Sequence, residues 1–160
     1  MQTFYALGAV CGFGSLLWLM VLKHQSAGQQ LTLTTVRALA GGLDVLVQYR
    51  PGRARVGLRA RVRLIEPASA ALLAGVRRER RDRYGAYVVS EPEQEVRGSS
   101  IDFALRHLRP DPPGTVCGVF YVTGSDNAPP TSARVKLEIW TDAGPTRLAT
   151  RDTTLRVITF

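Results

Sequence analysis

The sequence is sparing with the side chains that perform chemistry. It has two histidines (His24 and His107), two cysteines (Cys11 and Cys117) and two lysines (Lys23 and Lys136). His24 abuts the end of a predicted membrane helix and His107 lies near the end of a predicted strand, so neither has the neighbours that make an imidazole a general base. No HExxH, CxxC, GxSxG or P-loop spacing occurs. Lys136 is the only lysine of the domain after residue 30, which leaves Schiff-base chemistry there a single candidate. Cys11 falls in a predicted membrane helix and Cys117 in an apolar strand, so the pair implies no disulfide framework. Glu91-Pro92-Glu93-Gln94-Glu95 reads as an acidic loop, and it lacks the ligand spacing and turn glycine of an EF-hand. These absences predict a protein that is not an enzyme, with no catalytic residues, no metal site and no cofactor.

What the chain does have begins at Phe4. Phe4 to Leu22 is 19 residues without a charge. As a helix it would be roughly 28 Å long, close to the hydrocarbon thickness of a bilayer. A cleaved signal peptide fits less well, because Met1-Gln2-Thr3 carries no positive charge and the apolar run is long. The expectation is a transmembrane anchor over residues 1–24, a polar linker over 25–30 and a globular domain over 31–160. Lys23 follows the apolar run and no Lys or Arg precedes it, which predicts a single-pass protein of a bacterial inner membrane with a cytoplasmic C-terminal domain. Tyr5, Trp18 and Lys23 are the expected interface anchors. Gly8 and Gly12 form a GxxxG pair extended by Gly14 and Ser15, a small-residue face on which another membrane helix can pack closely.

The domain is basic. The chain carries 21 Lys+Arg against 13 Asp+Glu, a net charge of +8, and all but the two lysines of that positive charge are arginine. The isoelectric point is near 10.3. An anionic partner is the functional reading; ordinary solubility is the bland one. Alternation and turn punctuation dominate after residue 30. Leu31–Val36, Leu43–Tyr49 and Ala54–Ile65 read as strands, as do Tyr84–Val89, Ile101–Leu105, Thr115–Thr123, Ala133–Thr141 and two segments after Arg147. Ala68 to Arg83 lacks the two-residue period and reads as a short helix after Pro67. Many short strands and one inserted helix predict an antiparallel, immunoglobulin-like β-sandwich.

Two arginine sets stand out as candidate partner-binding residues. In the third strand Arg53, Arg55, Arg59, Arg61 and Arg63 share one face, opposite Val56, Leu58, Ala60, Val62 and Leu64. They suit phosphate or carboxylate groups, or else a solvated sheet face paired with acids. The second set is Arg77, Arg78, Arg80 and Arg81, in a basic run that ends at Arg83 and is interrupted by Glu79 and Asp82. It suits another protein subunit, anionic lipid headgroups or plain solvation; nucleic acid is disfavoured, because no recognition motif or interleaved aromatic accompanies it. The function expected from these features is an accessory subunit of a larger membrane complex of respiratory, photosynthetic or secretion type. It would pack its helix among others in the lipid bilayer and brace neighbouring subunits. The alternatives are a tethered adaptor for an anionic soluble partner or lipid, and a periplasmic immunoglobulin-like assembly factor.

Overall fold

Residues with two-residue apolar alternation line up as strands because each must bury one face. A computed structural model describes residues 31–37, 42–52, 57–124, 130–144 and 146–156. The apolar segment, with Gly8, Gly12, Gly14, Ser15, Tyr5, Trp18 and Lys23, lies outside the described residues, as do Arg53 and Arg55. The described strands are β1 (Leu31–Arg37), β2 (Gly42–Tyr49), β3 (Leu58–Glu66), β4 (Ala71–Asp82), β5 (Gly85–Gly98), β6 (Ser100–Leu105), β7 (Val116–Thr123), β8 (Ser132–Thr141) and β9 (Arg147–Arg156). They form two antiparallel sheets, one ordered β1-β2-β7-β4-β5 and the other β6-β3-β8-β9. No helix among the described residues is long and apolar enough to cross a membrane.

The two sheets share one core. β2 contributes Leu43, Val45 and Val47, and β7 contributes Phe120 and Val122. Opposite them stand Leu58, Ala60 and Val62 of β3 and Val135, Leu137 and Ile139 of β8. Each such side chain stabilises the fold by about 1.5–3 kcal/mol when fully buried. Phe103 of β6 meets Phe120 of β7 with ring centroids 6.0 Å apart, joining the sheets. Gly118 makes this approach possible. A Cβ there would stand 2.6 Å from the Phe103 ring and 2.7 Å from Leu105.

Three expectations are corrected. Ala68 to Arg83 is not a helix; its main part is β4. The strand escapes detection because its first half is covered on both faces, so the alternation vanishes. Leu72 and Ala74 face the main core, while Leu73 packs with Val119 and Tyr121 on the opposite side. The acidic stretch from Glu91 is likewise part of a strand, β5, where the register against β4 shifts between Leu73 and Gly75. The two expected segments, Arg147–Thr150 and Thr153–Thr159, are one strand as far as Arg156, β9, paired along β8; the last residues lie outside the described ones.

β4 has two neighbours at its start and one at its end. It pairs with β7 over Ala71 to Gly75 only, yet pairs with β5 as far as Asp82. Val76 to Glu91 is therefore a two-stranded ribbon continuing past the strand that flanks it. Arg83-Tyr84 connects its strands, the Tyr84 N–H donates to Asp82 Oδ1 at 2.8 Å, and Gly85 adopts φ +132°.

Overpacking a core by one methyl costs about 1–3 kcal/mol when the neighbours are ring and branched side chains. Gly118→Ala is expected to lower stability by that amount in urea unfolding, with an unchanged m-value.

Candidate functional site

The strand period of β3 places Arg59, Arg61 and Arg63 on the solvent face of the second sheet, as its alternating burial requires. Neighbouring strands bring acids to two of them. Arg61 grips Asp102 of β6 with two hydrogen bonds, at 2.8 and 3.1 Å, and its guanidinium lies 5.9 Å from the Trp140 ring centroid. Arg59 Nε is 4.0 Å from Asp142. Further along the same face Glu138 takes Lys136 at 3.4 Å and Arg147 at 3.2 Å, and Arg134 takes Asp152. Desolvation would raise the Glu138 carboxyl, but its hydrogen bonds from Arg147 and Lys136 hold it below its ordinary value. Such exposed pairs contribute about 0–1 kcal/mol each. Their consequence lies in availability: these arginines already have carboxylates. Arg63 stands opposite Lys136 and Ser100 and has no ion pair among the described residues.

The second arginine set is divided by burial. Arg77 side-chain exposure is 9% and that of Asp111 is 5%, and the two form a double hydrogen bond, one leg of it 2.9 Å long. Asp111 Oδ2 also accepts the Leu108 N–H at 2.9 Å. The same loop is closed by Arg106 and Cys117, which exchange backbone hydrogen bonds of 2.9 and 2.8 Å, and by His107, whose Nδ1 lies 2.8 Å from the Thr115 carbonyl and donates to it. Arg77 thus fastens the 106–117 loop to the root of the ribbon. Desolvation opposes the charged Asp111, yet the Arg77 and Leu108 hydrogen bonds outweigh it and lower its pKa below the ordinary value.

Arg78, Arg80 and Arg81 lie further out on β4 and are exposed. Arg83, at the ribbon tip, completes the group, with its guanidinium 4.6 Å from the Tyr84 ring centroid. Glu79 and Asp82 intervene, and no ion pair within the described residues engages these four arginines. Tyr84 is 82% and Tyr87 44% exposed. Tyr84 and Tyr87 are the members of this site that sequence reasoning missed. A helical reading scatters these side chains, whereas cross-strand register puts Tyr87 beside Arg80 and Val89 beside Arg78. The strand-favouring run Tyr84-Gly85-Ala86-Tyr87-Val88-Val89 is the signal from which the hairpin extends backward into the arginine run.

At the ribbon root a cleft of about 250 Å³ is lined by Arg59, Arg77, Glu93, Arg106 and Cys117, among others. Burial, reinforced by the charge of Asp111, pushes the Cys117 thiol up to about 11, so it stays protonated and a poor nucleophile at neutral pH. On the outer face of the first sheet, burial raises the Asp44 carboxyl and, with the charges of Asp44 and Glu91, pushes Tyr121 up to about 12. No group of three or more potential metal ligands occurs among the described residues. Among families and curated proteins, no family model matches the chain and no curated protein matches it.

Removing one partner of a buried ion pair strands the other and costs about 3–5 kcal/mol. Arg77→Met and Asp111→Leu are each expected to destabilise by that amount in chemical denaturation, and the double variant by much less. Because Asp111 has a lowered folded-state pKa, its contribution is present above the ordinary carboxylate value of 3.8 and is lost as pH falls below it. Acid unfolding should therefore show a component that is absent from the double variant.

Proposed function

We propose that the chain is a non-catalytic, single-span accessory subunit of a multi-subunit membrane complex, and that its ribbon is the element that engages a neighbouring subunit. The carrying observation is the ribbon itself. Four exposed arginines and two exposed tyrosines sit on a hairpin that runs past its flanking strand and is fastened at the root by a buried ion pair. Arginine and tyrosine are the residue types enriched where proteins contact one another. The carboxylate-paired arginines on β3 favour the ribbon over that face as the contact.

The immunoglobulin-like reading belongs to the same proposal. Strand orders β1-β2-β7-β4 and β3-β8-β9 follow the A-B-E-D and C-F-G arrangement, with β5 and β6 as added edge strands. The uncharged Phe4–Leu22 segment supports the anchor, and the Gly8/Gly12 pair supports helix packing within the complex. Lys23 supports a cytoplasmic domain at a bacterial inner membrane. The free arginines equally favour a tethered adaptor for an anionic partner. That reading requires the partner to leave steeply between about 50 and 200 mM salt, as screening grows.

Tagged full-length protein, extracted in mild detergent, should co-migrate with a large complex on native gels. Replacing Arg78, Arg80, Arg81 and Arg83 with glutamate should reduce that co-migration at least about tenfold, while the melting temperature holds, because exposed side chains contribute little to folding. A monodisperse monomer with no co-purifying protein would overturn the proposal.

A further inference from the structure

We propose that the cleft at the root of the ribbon is a binding site for a small monocarboxylate, held by the Arg59 and Arg106 guanidinium groups. The cleft opens where the two sheets diverge. β4 pairs with β7 only as far as Gly75, and Gly75, Val76 and Arg77 line the cleft from that strand. Phe103 and Ala104 line it from β6, the edge strand of the other sheet. Just beyond β6 the chain crosses to β7 at the Arg106–Cys117 bridge, and both of these residues line the cleft too. Its volume of about 250 Å³ lies just below the usual range for ligand sites, so it suits a ligand of few atoms.

Charge and unfilled donors select the ligand. The lining carries three arginines, Arg59, Arg77 and Arg106, against two acids, Glu93 and Asp102, a surplus of one positive charge. Asp102 is already gripped by Arg61 through two hydrogen bonds. Arg106 has no ion pair among the described residues. Arg59 comes no closer to Asp142 than 4.0 Å, beyond hydrogen-bond length. Two guanidinium forks therefore offer N–H donors that lack acceptors, and such forks match the two oxygens of a carboxylate. Arg77 adds an independent sign. Its side chain is 9% exposed, and its buried Nε has no hydrogen-bond partner beyond the nearby Cys117 sulfur, a weak acceptor. A monoanion matches the single surplus charge, whereas a dianionic phosphate exceeds it. Val76, Phe103 and Ala104 supply apolar lining for the body of the ligand. Glu93, which has no ion pair among the described residues, is the internal competitor for the same arginines. This site needs only the cleft and is independent of the accessory-subunit reading.

The test titrates the full chain, in mild detergent and low chloride, with sodium benzoate, followed by calorimetry. Saturable one-site binding with a Kd of about 0.1–5 mM is expected, and benzamide, which has the same shape without the charge, should bind at least about tenfold more weakly. Arg59→Gln and Arg106→Gln should each weaken benzoate about fivefold, with the melting temperature held, because both side chains are exposed. Arg63→Gln, outside the cleft, should leave binding unchanged. Glu93→Gln should tighten it about threefold by removing the competing acid. Benzoate that releases the chain from a co-migrating complex identifies the carboxylate as a neighbouring subunit's, and binding that leaves co-migration intact identifies a free small carboxylate; either supports the site. No saturation up to about 50 mM benzoate overturns the proposal. So does binding that ignores Arg59→Gln and Arg106→Gln, that is weakened by Glu93→Gln, or that is matched by benzamide or by inorganic phosphate.

Discussion

The Arg77–Asp111 pair sits where β4 changes its surroundings. Before it, β4 is an inner strand with apolar contacts on both faces; after it, β4 is half of an exposed hairpin. A two-stranded ribbon has little stability of its own, because it lacks a second layer to bury its apolar face. The ion pair compensates at the root by tying the ribbon to the 106–117 loop, and Asp111 in turn closes that loop through the Leu108 N–H. Both charges are withdrawn from water, so the pair holds only because each satisfies the other, and loss of either leaves a buried charge. The contact joins the root of the ribbon to the loop that the Arg106–Cys117 bridge closes.

The arginines of the two candidate sets and their neighbours fall into three physical states among the described residues. On β3, β8 and β9, Arg59, Arg61, Arg134 and Arg147 each lie beside a carboxylate. At Arg77 one is internal and structural. On the ribbon they are exposed beside tyrosines. The two arginine sets looked alike in sequence, whereas the fold pairs Arg59, Arg61 and Arg77 with carboxylates and leaves Arg78, Arg80, Arg81 and Arg83 without ion pairs among the described residues.

Legibility in the sequence followed the contrast between faces. β2, β3, β6 and β8 bury one face and expose or half-bury the other, so their residues alternate and their strands could be read directly. β7 was read from its apolar run and its flanking loops rather than from alternation, because both its faces are covered: Phe120 and Val122 on one, Val119 and Tyr121 on the other. β4 has the same cause of ambiguity in its first half, and its second half is polar throughout, so helix and strand templates fitted equally well. The arginine stripe of β3 was legible as a face. Its acid partners were not, because Asp102 is 41 residues away in sequence and reaches Arg61 only through the β3–β6 register.

The sequence by itself determined that the domain is a mainly β structure, which residues of the alternating strands face the core, and that an uncharged 19-residue segment precedes it. Those are local properties, written in period, composition and length. Only the tertiary structure decided that Ala71–Asp82 is a strand, that Arg77 is buried against Asp111 while Arg78, Arg80 and Arg81 are free, and that β5 ends its sheet. Each of these depends on which distant strand lies alongside, and strand pairing is settled by the packing of the whole core rather than by any neighbourhood of the chain.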